Sequence, residues 1–259
     1  MKQIKRSLVT VSFLALLGLG LAISPKKSSL ESIVQKPSQV VTRNAETNQE
    51  LKAGVVKYQG ENINYVILNP DQYNLEILQD NHGLNFNDAK KQNPLAFVNG
   101  SFFNEDFSPS GLLISNGKRI SKKTNRSSSG VFYIDSDGEA DIKYNRSFNN
   151  DENYQFAVQG YPVLVYNGQV QRIKNDERKT ARTVIGINQN KEVVIMSSDF
   201  SLFHGLSLEE TAKLMRNPRS RNGFDCYKAV NLDGGSSSQF YLKGKVESQG
   251  GKDKISNYI

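Results

Sequence analysis

The sequence predicts an α+β domain that is rich in strands, with mixed or antiparallel sheets and a few helices. Short runs of β-branched and aromatic residues recur from residue 51 onward, and turn residues separate them. Only two segments show helical patterning, and strands and helices do not alternate as a βαβ fold requires. We therefore expect a single domain over residues 51–259.

Most of the predicted elements are strands. GVVKYQ, NINYVILN and YNLEILQ are separated by Gly-Glu-Asn and Pro-Asp-Gln, so three neighbouring antiparallel strands are expected here. Two hairpins are well marked, with turns at Asp135–Gly138 and Asn188–Lys191. The other predicted strands are LAFV, GLLIS, GVFYID, ADIKY, PVLVYN, TVIGIN, EVVIMSS, AVNL and SQFYL.

Two helices are predicted, a short one over residues 87–92 and a longer one over residues 207–216. In the second, Ser207 can cap the free amides while Glu210 reaches back, which is a capping box. The apolar face of this helix consists of Leu208, Ala212 and Met215.

Residues 1–24 have the layout of a secretory signal peptide or an N-terminal membrane anchor. A positively charged start precedes a charge-free apolar run from Leu8 to Ile23. Residues 25–50 are rich in Lys, Ser, Gln and Asn, which predicts a flexible linker. The domain is thus expected to be exported, either periplasmic or extracellular, or anchored and facing outward. Any membrane contact is expected only through the uncleaved N-terminal segment.

The formal net charge of +7 does not indicate a nucleic-acid partner. Residues 1–50 hold seven basic and three acidic residues, so more than half of the excess lies outside the predicted domain. The densest basic cluster runs from Gly117 to Arg126 in a predicted loop. Nucleic-acid interfaces usually show a concentrated basic stripe instead.

Cysteine and histidine are scarce. Cys226 is the only cysteine, so no intrachain disulfide can form, and packing is its expected role. With only His82 and His204, a multi-histidine metal site is excluded by count. The acids of the 135–139 segment are better explained by a hairpin turn than by a calcium site. We predict neither a metal nor a cofactor.

The stretch AVNLDGGSSSQFYL, Ala229 to Leu242, places small polar residues between two apolar runs. Asp-Gly is a strong turn signal, so one interpretation is a plain hairpin. The other is an anion cradle, because glycines let the backbone approach a ligand and successive N–H groups can hold phosphate oxygens. Asp233, at the end of a buried strand, would then lie at the rim of the cradle.

Three more stretches stand out, and the first two have two interpretations each. In VNGSFF, Asn99-Gly100 forms either a turn with an aromatic plug or part of a site. Arg182, at the start of a strand, either faces solvent or grips a phosphate through paired hydrogen bonds. Gln159-Gly160 interrupts a strand before Pro162.

Jointly, these stretches resemble the phosphodiester glycosidase family. The blocks VNGSFF, SGLLI, VQGYPVLVYNG, ARTVIGIN, LSLEETAKLM and NLDGGSSSQFYL follow the family order and cover roughly residues 55–242. The chain departs from the family at Ser101 and at Tyr161, which puts substrate shape in question. The resemblance implies hydrolysis of a sugar joined through its anomeric oxygen to a phosphodiester. The substrate-binding residues that it implies are Asn99, Gly100, Phe102, Gln159, Asn231, Gly234, Gly235, Ser236 and Ser237.

A mechanism follows as a hypothesis. Arg182 and the amides around Gly234–Ser237 hold the phosphate, which stabilises charge on the leaving group. Asp233 is the main catalytic carboxylate and either stabilises a cationic sugar or activates water. Glu105 or Asp106 is the second carboxylate of a glycosidase pair, or else both are solvated loop acids. Phosphate is a weakly basic leaving group, so little general-acid help is needed.

Two other functions remain open at this point. A non-catalytic exported module could bind a cell-envelope glycan or a sugar phosphate through the aromatic loops around Phe102, Phe103 and Phe107. A scaffold without a ligand would be favoured if Asn99, Arg182 and Asp233 lay far apart.

Overall fold

A seven-stranded antiparallel sheet organises the fold, and smaller sheets pack on one of its faces. The computed structural model describes residues 41–43, 51–150, 152–173 and 178–259, and all of them belong to one compact unit, Pro37–Ile259. The predicted signal peptide or anchor lies outside the described residues. The predicted linker is described only at Val41–Arg43, and this segment forms a strand.

Nineteen strands and two α-helices make up the described chain. The strands are β1 (Val41–Arg43), β2 (Lys52–Tyr58), β3 (Glu61–Leu68), β4 (Tyr73–Leu75), β5 (Leu78–Leu84), β6 (Ala96–Val98), β7 (Leu113–Ser115), β8 (Lys118–Ser121), β9 (Gly130–Asp135), β10 (Ala140–Tyr144), β11 (Tyr154–Gly160), β12 (Val163–Tyr166), β13 (Gln169–Val170), β14 (Thr183–Asn188), β15 (Val193–Ser198), β16 (Cys226–Asn231), β17 (Phe240–Leu242), β18 (Val246–Ser248) and β19 (Ile255–Tyr258). The helices are α1 (Phe86–Lys91) and α2 (Leu208–Arg216), and short 3-10 turns lie at Asn145–Ser147, Arg219–Arg221 and Gly235–Ser237.

These strands form five sheets in the described residues, and all of their pairings are antiparallel. The largest has the order β13-β12-β16-β14-β15-β3-β2. The second has the order β10-β9-β11-β7-β8, and the third has the order β18-β17-β6. Two pairs, β19-β5 and β1-β4, complete the set. The predicted strand-rich α+β class is therefore confirmed.

Both faces of the large sheet are buried, which explains why its central strands are continuous apolar runs. Successive side chains in a strand point to opposite faces. Ile185 and Ile195 accordingly contribute to the core shared with the smaller sheets. Val184 and Met196 face the second core, where α2 packs.

Both helices begin with the expected local signals. The side chain of Ser207 accepts a hydrogen bond from the Glu210 amide, and Glu210 reaches back to the Ser207 amide, so the predicted capping box is confirmed. Asn85 and Asp88 form a second capping box at α1. Neither helix of the described chain has the length and apolar character that crossing a membrane requires.

Two of the predicted hairpins agree with the structure, whereas the predicted pairing of the second and third strands does not. The hairpins β9–β10 and β14–β15 form as expected. Of the three neighbouring strands expected after residue 51, only the first two pair with each other, as β2 and β3. The prediction is wrong for the third, because β3 pairs on its other side with β15. The third segment divides into β4, which pairs with β1, and β5, which pairs with β19.

Two other expectations need correction. The basic segment 117–126 is not entirely a loop, since Lys118–Ser121 form β8 at the edge of the second sheet. The hairpin interpretation of Ala229–Leu242 is also wrong, because β16 and β17 belong to different sheets. Asp233 therefore lies in a crossing segment between two sheets.

Candidate functional site

Asp233 is held at the end of β16 by contacts from two segments. Its amide donates to the Gly100 carbonyl oxygen at 3.2 Å, and its own carbonyl oxygen accepts from Asn99 Nδ2 at 2.8 Å. Its Oδ1 accepts the Gly234 amide at 2.9 Å. The backbone is thus fixed, and the carboxyl group sits on a half-buried stretch, Asp233–Ser236.

The environment of this carboxyl group changes its acidity. Burial raises the pKa of Asp233, because the charged form loses solvation. Hydrogen bonds from the Ser237 hydroxyl and the Gly234 amide, and the positive charge of Lys252, offset part of the rise in pKa. A raised pKa makes the ionised carboxylate a stronger base than an ordinary aspartate.

The two glycines after Asp233 are required by close packing and by backbone conformation. A Cβ at Gly234 would lie 2.7 Å from the Ala181 carbonyl oxygen, and Gly235 adopts a φ of +61°. This packing brings the Asp233 segment against the backbone of Ala181 and Arg182. The NLDGGSSSQFYL block and the ARTVIGIN block are therefore in contact.

The amides of this segment are largely used within the protein. The Gly235 amide donates to the Ala181 carbonyl oxygen at 2.7 Å, and the Ser237 amide donates to the Gly234 carbonyl oxygen at 3.2 Å. The Gly234 amide is taken by the Asp233 carboxyl group. An anion cradle needs amides that are free to donate, so these three do not form the predicted one in this conformation. Ser236 lies half-buried between them.

The Arg182 side chain is buried and bonds backbone oxygens of the protein, so it does not face solvent. Its Nε donates to the Leu206 carbonyl oxygen at 2.9 Å, and its Nη2 donates to the Arg178 carbonyl oxygen at 2.7 Å. The hydroxyl of the next residue, Thr183, donates a hydrogen bond to Asn99 Oδ1 at 2.7 Å. Thr183, which the sequence did not single out, therefore connects this block to Asn99.

Asn99 and Gly100 lie against the backbone of Asp233 and bond it. Asn99 is 1% exposed, and its Oδ1 also accepts the Gln239 amide at 3.1 Å. A Cβ at Gly100 would lie 2.0 Å from Asn257 Oδ1, which accepts the Ser101 amide at 2.9 Å. Both predicted residues are thus beside Asp233, but their observed contacts are with the protein itself.

Gln159 and Asn231 also bond the surrounding chain. Gln159 Oε1 accepts the amides of Leu112 and Thr124, both at 3.0 Å, while its Nε2 donates to the Thr124 carbonyl oxygen and to Ser129 Oγ. Asn231 Nδ2 donates to the Tyr161 carbonyl oxygen at 2.8 Å. Asn231 Oδ1 is buried and finds no hydrogen-bond partner in the part of the chain that the structure describes. Unsatisfied buried acceptors of this kind are uncommon.

A small pocket lies between Phe102 and Tyr161, and we call it the aromatic pocket. Its other lining residues include Arg126, Gln159 and Gly160. The Arg126 guanidinium lies 4.9 Å from the centre of the Tyr161 ring, so a cation borders the pocket. Phe102 and Gln159 are predicted substrate-binding residues, whereas no role is predicted for Arg126. Arg126 belongs to the basic segment 117–126, but the sequence alone does not show that this segment folds beside the pocket.

The second carboxylate of the predicted pair is not found beside the first. Glu105 is exposed on a loop, and no contact between described residues joins it to the Asp233 segment. Asp106 binds the Ser108 amide and hydroxyl on the same loop. Across the described ranges, no group of three or more His, Cys, Asp or Glu residues could hold a metal ion.

Comparison with known proteins identifies relatives for most of this domain. The family model described as "Phosphodiester glycosidase" matches residues 92–259. The uncharacterized protein YigE of Escherichia coli (strain K12) is 28% identical over 158 residues, which cover 57% of this chain and 58% of YigE. The chain thus spans less than two thirds of that relative.

Solved structures share the fold at low sequence identity. The catalytic domain of zebrafish N-acetylglucosamine-1-phosphodiester alpha-N-acetylglucosaminidase, auto-inhibited by its pro-peptide, superposes with a TM-score of 0.64 at 17% identity, covering 85% of this chain and 83% of that chain. A protein from Synechocystis superposes with a TM-score of 0.56 at 14% identity, covering 80% and 61%.

Proposed function

The chain belongs to the phosphodiester glycosidase family, and from this premise we propose that it is an exported hydrolase that cleaves a sugar from a glycosyl phosphodiester. Membership supports a hydrolase-like function at the level of the family. The substrate class, the site residues and export are parts of the proposal. Export rests on the signal-peptide layout of residues 1–24.

The observation that supports catalysis best is the half-buried Asp233, whose carboxyl group has a raised pKa and whose backbone is fixed from Asn99 and Gly100. Catalytic bases work best when their pKa lies near the working pH. We assign Asp233 to activate the water that attacks the anomeric carbon, or to stabilise positive charge on the sugar. The carbon–oxygen bond to the phosphate then breaks, and a phosphomonoester leaves.

A single carboxylate is sufficient for this scheme. A phosphate monoester is a stable anion when it leaves, so it needs less protonation than an alcohol. This fits the position of Glu105, which lies exposed and without a described contact to Asp233. We therefore propose no catalytic role for Glu105.

The other predicted residues divide into two proposed roles. Arg182 is a positioning residue, since its guanidinium binds the Leu206 and Arg178 carbonyl oxygens next to the Asp233 segment. Arg126 is the better candidate for the phosphate, because it is exposed at the aromatic pocket and an arginine can donate paired hydrogen bonds to an oxyanion. The sugar ring would pack on Phe102 and Tyr161.

A panel of aryl diesters of hexose 1-phosphates and N-acetylhexosamine 1-phosphates tests the proposal. A phosphodiester glycosidase releases free sugar and aryl phosphate, whereas a phosphodiesterase releases the phenol. Asp233→Asn should lower kcat by about 10²-fold or more, a typical loss for a general base. Saturable binding by the wild-type protein without sugar release would instead support a glycan-binding module.

A further inference from the structure

A cleft of about 610 Å³ lies beside the aromatic pocket, and we call it the basic cleft. Three of its lining residues, Lys123, Arg126 and Arg146, carry positive charge. Polar residues, including Asn125 and Ser127, line much of the remainder. The cleft is large enough to hold an anionic group that is larger than a single phosphodiester.

No carboxylate among the described residues forms an ion pair with any of these three cations. Lys123 Nζ donates to the Asn145 carbonyl oxygen at 3.1 Å. The guanidinium groups of Arg126 and Arg146 lie over the rings of Tyr161 and Tyr144. These partners are neutral, so the positive charge of the cleft is not compensated, and such a surface concentrates anions.

The basic cleft adjoins the aromatic pocket. Arg126 and Ser129 line both the basic cleft and the aromatic pocket. Tyr161, on the other side of that pocket, donates its amide to the Asn231 carbonyl oxygen at 2.7 Å. Asn231 is two residues from Asp233, so one wall of the aromatic pocket is bonded to the chain just before Asp233. A substrate bound beside Asp233 and on this wall would extend toward the cleft.

We propose that the basic cleft binds a second phosphate group of the substrate, beyond the diester that is cleaved. The preferred substrate is then a sugar carried on a polyanionic, phosphate-containing glycan or polyol chain. This inference rests on the proposed function and deepens it. A lone diester has one negative charge, which Arg126 alone can meet, so Lys123 and Arg146 stay available for a further anion.

Two substrates that differ in one phosphate provide the kinetic test. The first joins a hexose 1-phosphate or N-acetylhexosamine 1-phosphate to glycerol, and the second joins the same group to glycerol phosphate. We expect the wild-type protein to favour the second by about tenfold in kcat/KM, since a charge-assisted hydrogen bond contributes about that factor. Added salt should reduce the preference, because salt screens exposed charges.

Matched variants locate the effect. Arg146→Gln and Lys123→Gln should each lower the preference for the second substrate several-fold while leaving kcat/KM on the first unchanged. Lys122→Gln removes the same charge from an exposed residue of the same segment that does not line the cleft. It should leave the preference intact.

The outcomes separate this inference from the function on which it rests. Equal kcat/KM on both substrates would overturn the inference and leave the proposed function standing. If neither substrate is cleaved, calorimetry with tripolyphosphate decides: binding that is weakened in Arg146→Gln and retained in Lys122→Gln supports the cleft, and no binding overturns it. Tighter binding of an oligonucleotide than of a glycerol phosphate oligomer of equal charge would overturn the assignment to a glycan or polyol chain.

Discussion

Removing the Asn99 side chain should destabilise the domain and impair the proposed site together. In Asn99→Ala, three hydrogen bonds are lost, with Thr183 Oγ1 at 2.7 Å, the Asp233 carbonyl oxygen at 2.8 Å and the Gln239 amide at 3.1 Å. Thr183 keeps Ser197 as an alternative partner at 3.2 Å. The Asp233 carbonyl oxygen and the Gln239 amide lose the partner that Asn99 supplies.

The expected cost follows from these two backbone groups. An unsatisfied buried polar group costs about 1–3 kcal/mol, so the free energy of unfolding should fall by about 2–6 kcal/mol. For a domain of this size, the melting temperature should then fall by about 4–24 °C. Because the Asp233 backbone loses an anchor, kcat should fall as well.

Urea unfolding of Asn99→Ala and of Thr183→Val measures the difference. Thr183→Val keeps a similar volume and removes one hydroxyl, so it should cost only about 1 kcal/mol. Equal losses in the two variants, or a loss below about 1 kcal/mol for Asn99→Ala, would show that Asn99 does not hold the Asp233 segment.

Three further predictions use the same region. Asp233→Asn should raise the melting temperature near neutral pH even though it lowers kcat. A raised pKa means that ionising this carboxyl group destabilises the folded state as pH rises through that pKa, and a lower melting temperature would contradict this. Lys252→Gln should raise the pKa of Asp233 further and so move the acidic limb of the kcat/KM profile to higher pH, and an unmoved limb would argue against Asp233 as the base. Gly100→Ala should cost about 2–4 kcal/mol in chemical denaturation, since its Cβ would lie 2.0 Å from Asn257 Oδ1. Gly54→Ala, where the nearest atom would be 3.5 Å away, should change stability by less than about 1 kcal/mol, and similar losses at both glycines would exclude the steric explanation.

Local signals in the sequence predicted the elements that form between near neighbours. The capping box of Ser207 and Glu210 involves residues three positions apart, and the β9–β10 and β14–β15 hairpins close over short turns. The partners of Tyr73–Leu75 and Leu78–Leu84 were not predictable in this way. They pair with β1 and β19, and distant pairings depend on how side chains pack in the finished core.

The direction of Arg182 illustrates what the sequence leaves undetermined. Neighbouring residues of an extended chain point to opposite sides, so either Arg182 or Thr183 can face Asn99. The sequence shows a polar residue at both positions. The choice is made by the Leu206 and Arg178 carbonyl oxygens, which bind the guanidinium group, and these depend on loops elsewhere in the chain.

Buried amide side chains pose the same problem. Asn99 and Gln159 lie at the predicted site, yet their observed partners are protein groups. The Asn99–Asp233 contact joins residues 134 positions apart. A side chain that supports a distant backbone and one that binds a ligand look alike in the sequence.

The anchoring of the 124–129 loop at both of its ends has a practical consequence for engineering. Gln159 holds Thr124 at one end and Ser129 at the other, while residues 125–128 between them are exposed. Exchanging Asn125, Ser127 and Ser128 in a library leaves both attachment points and the proposed phosphate contact of Arg126 in place. Redesign of the proposed aglycone preference can therefore begin at these three positions, with Asn99 and Gly100 left unchanged.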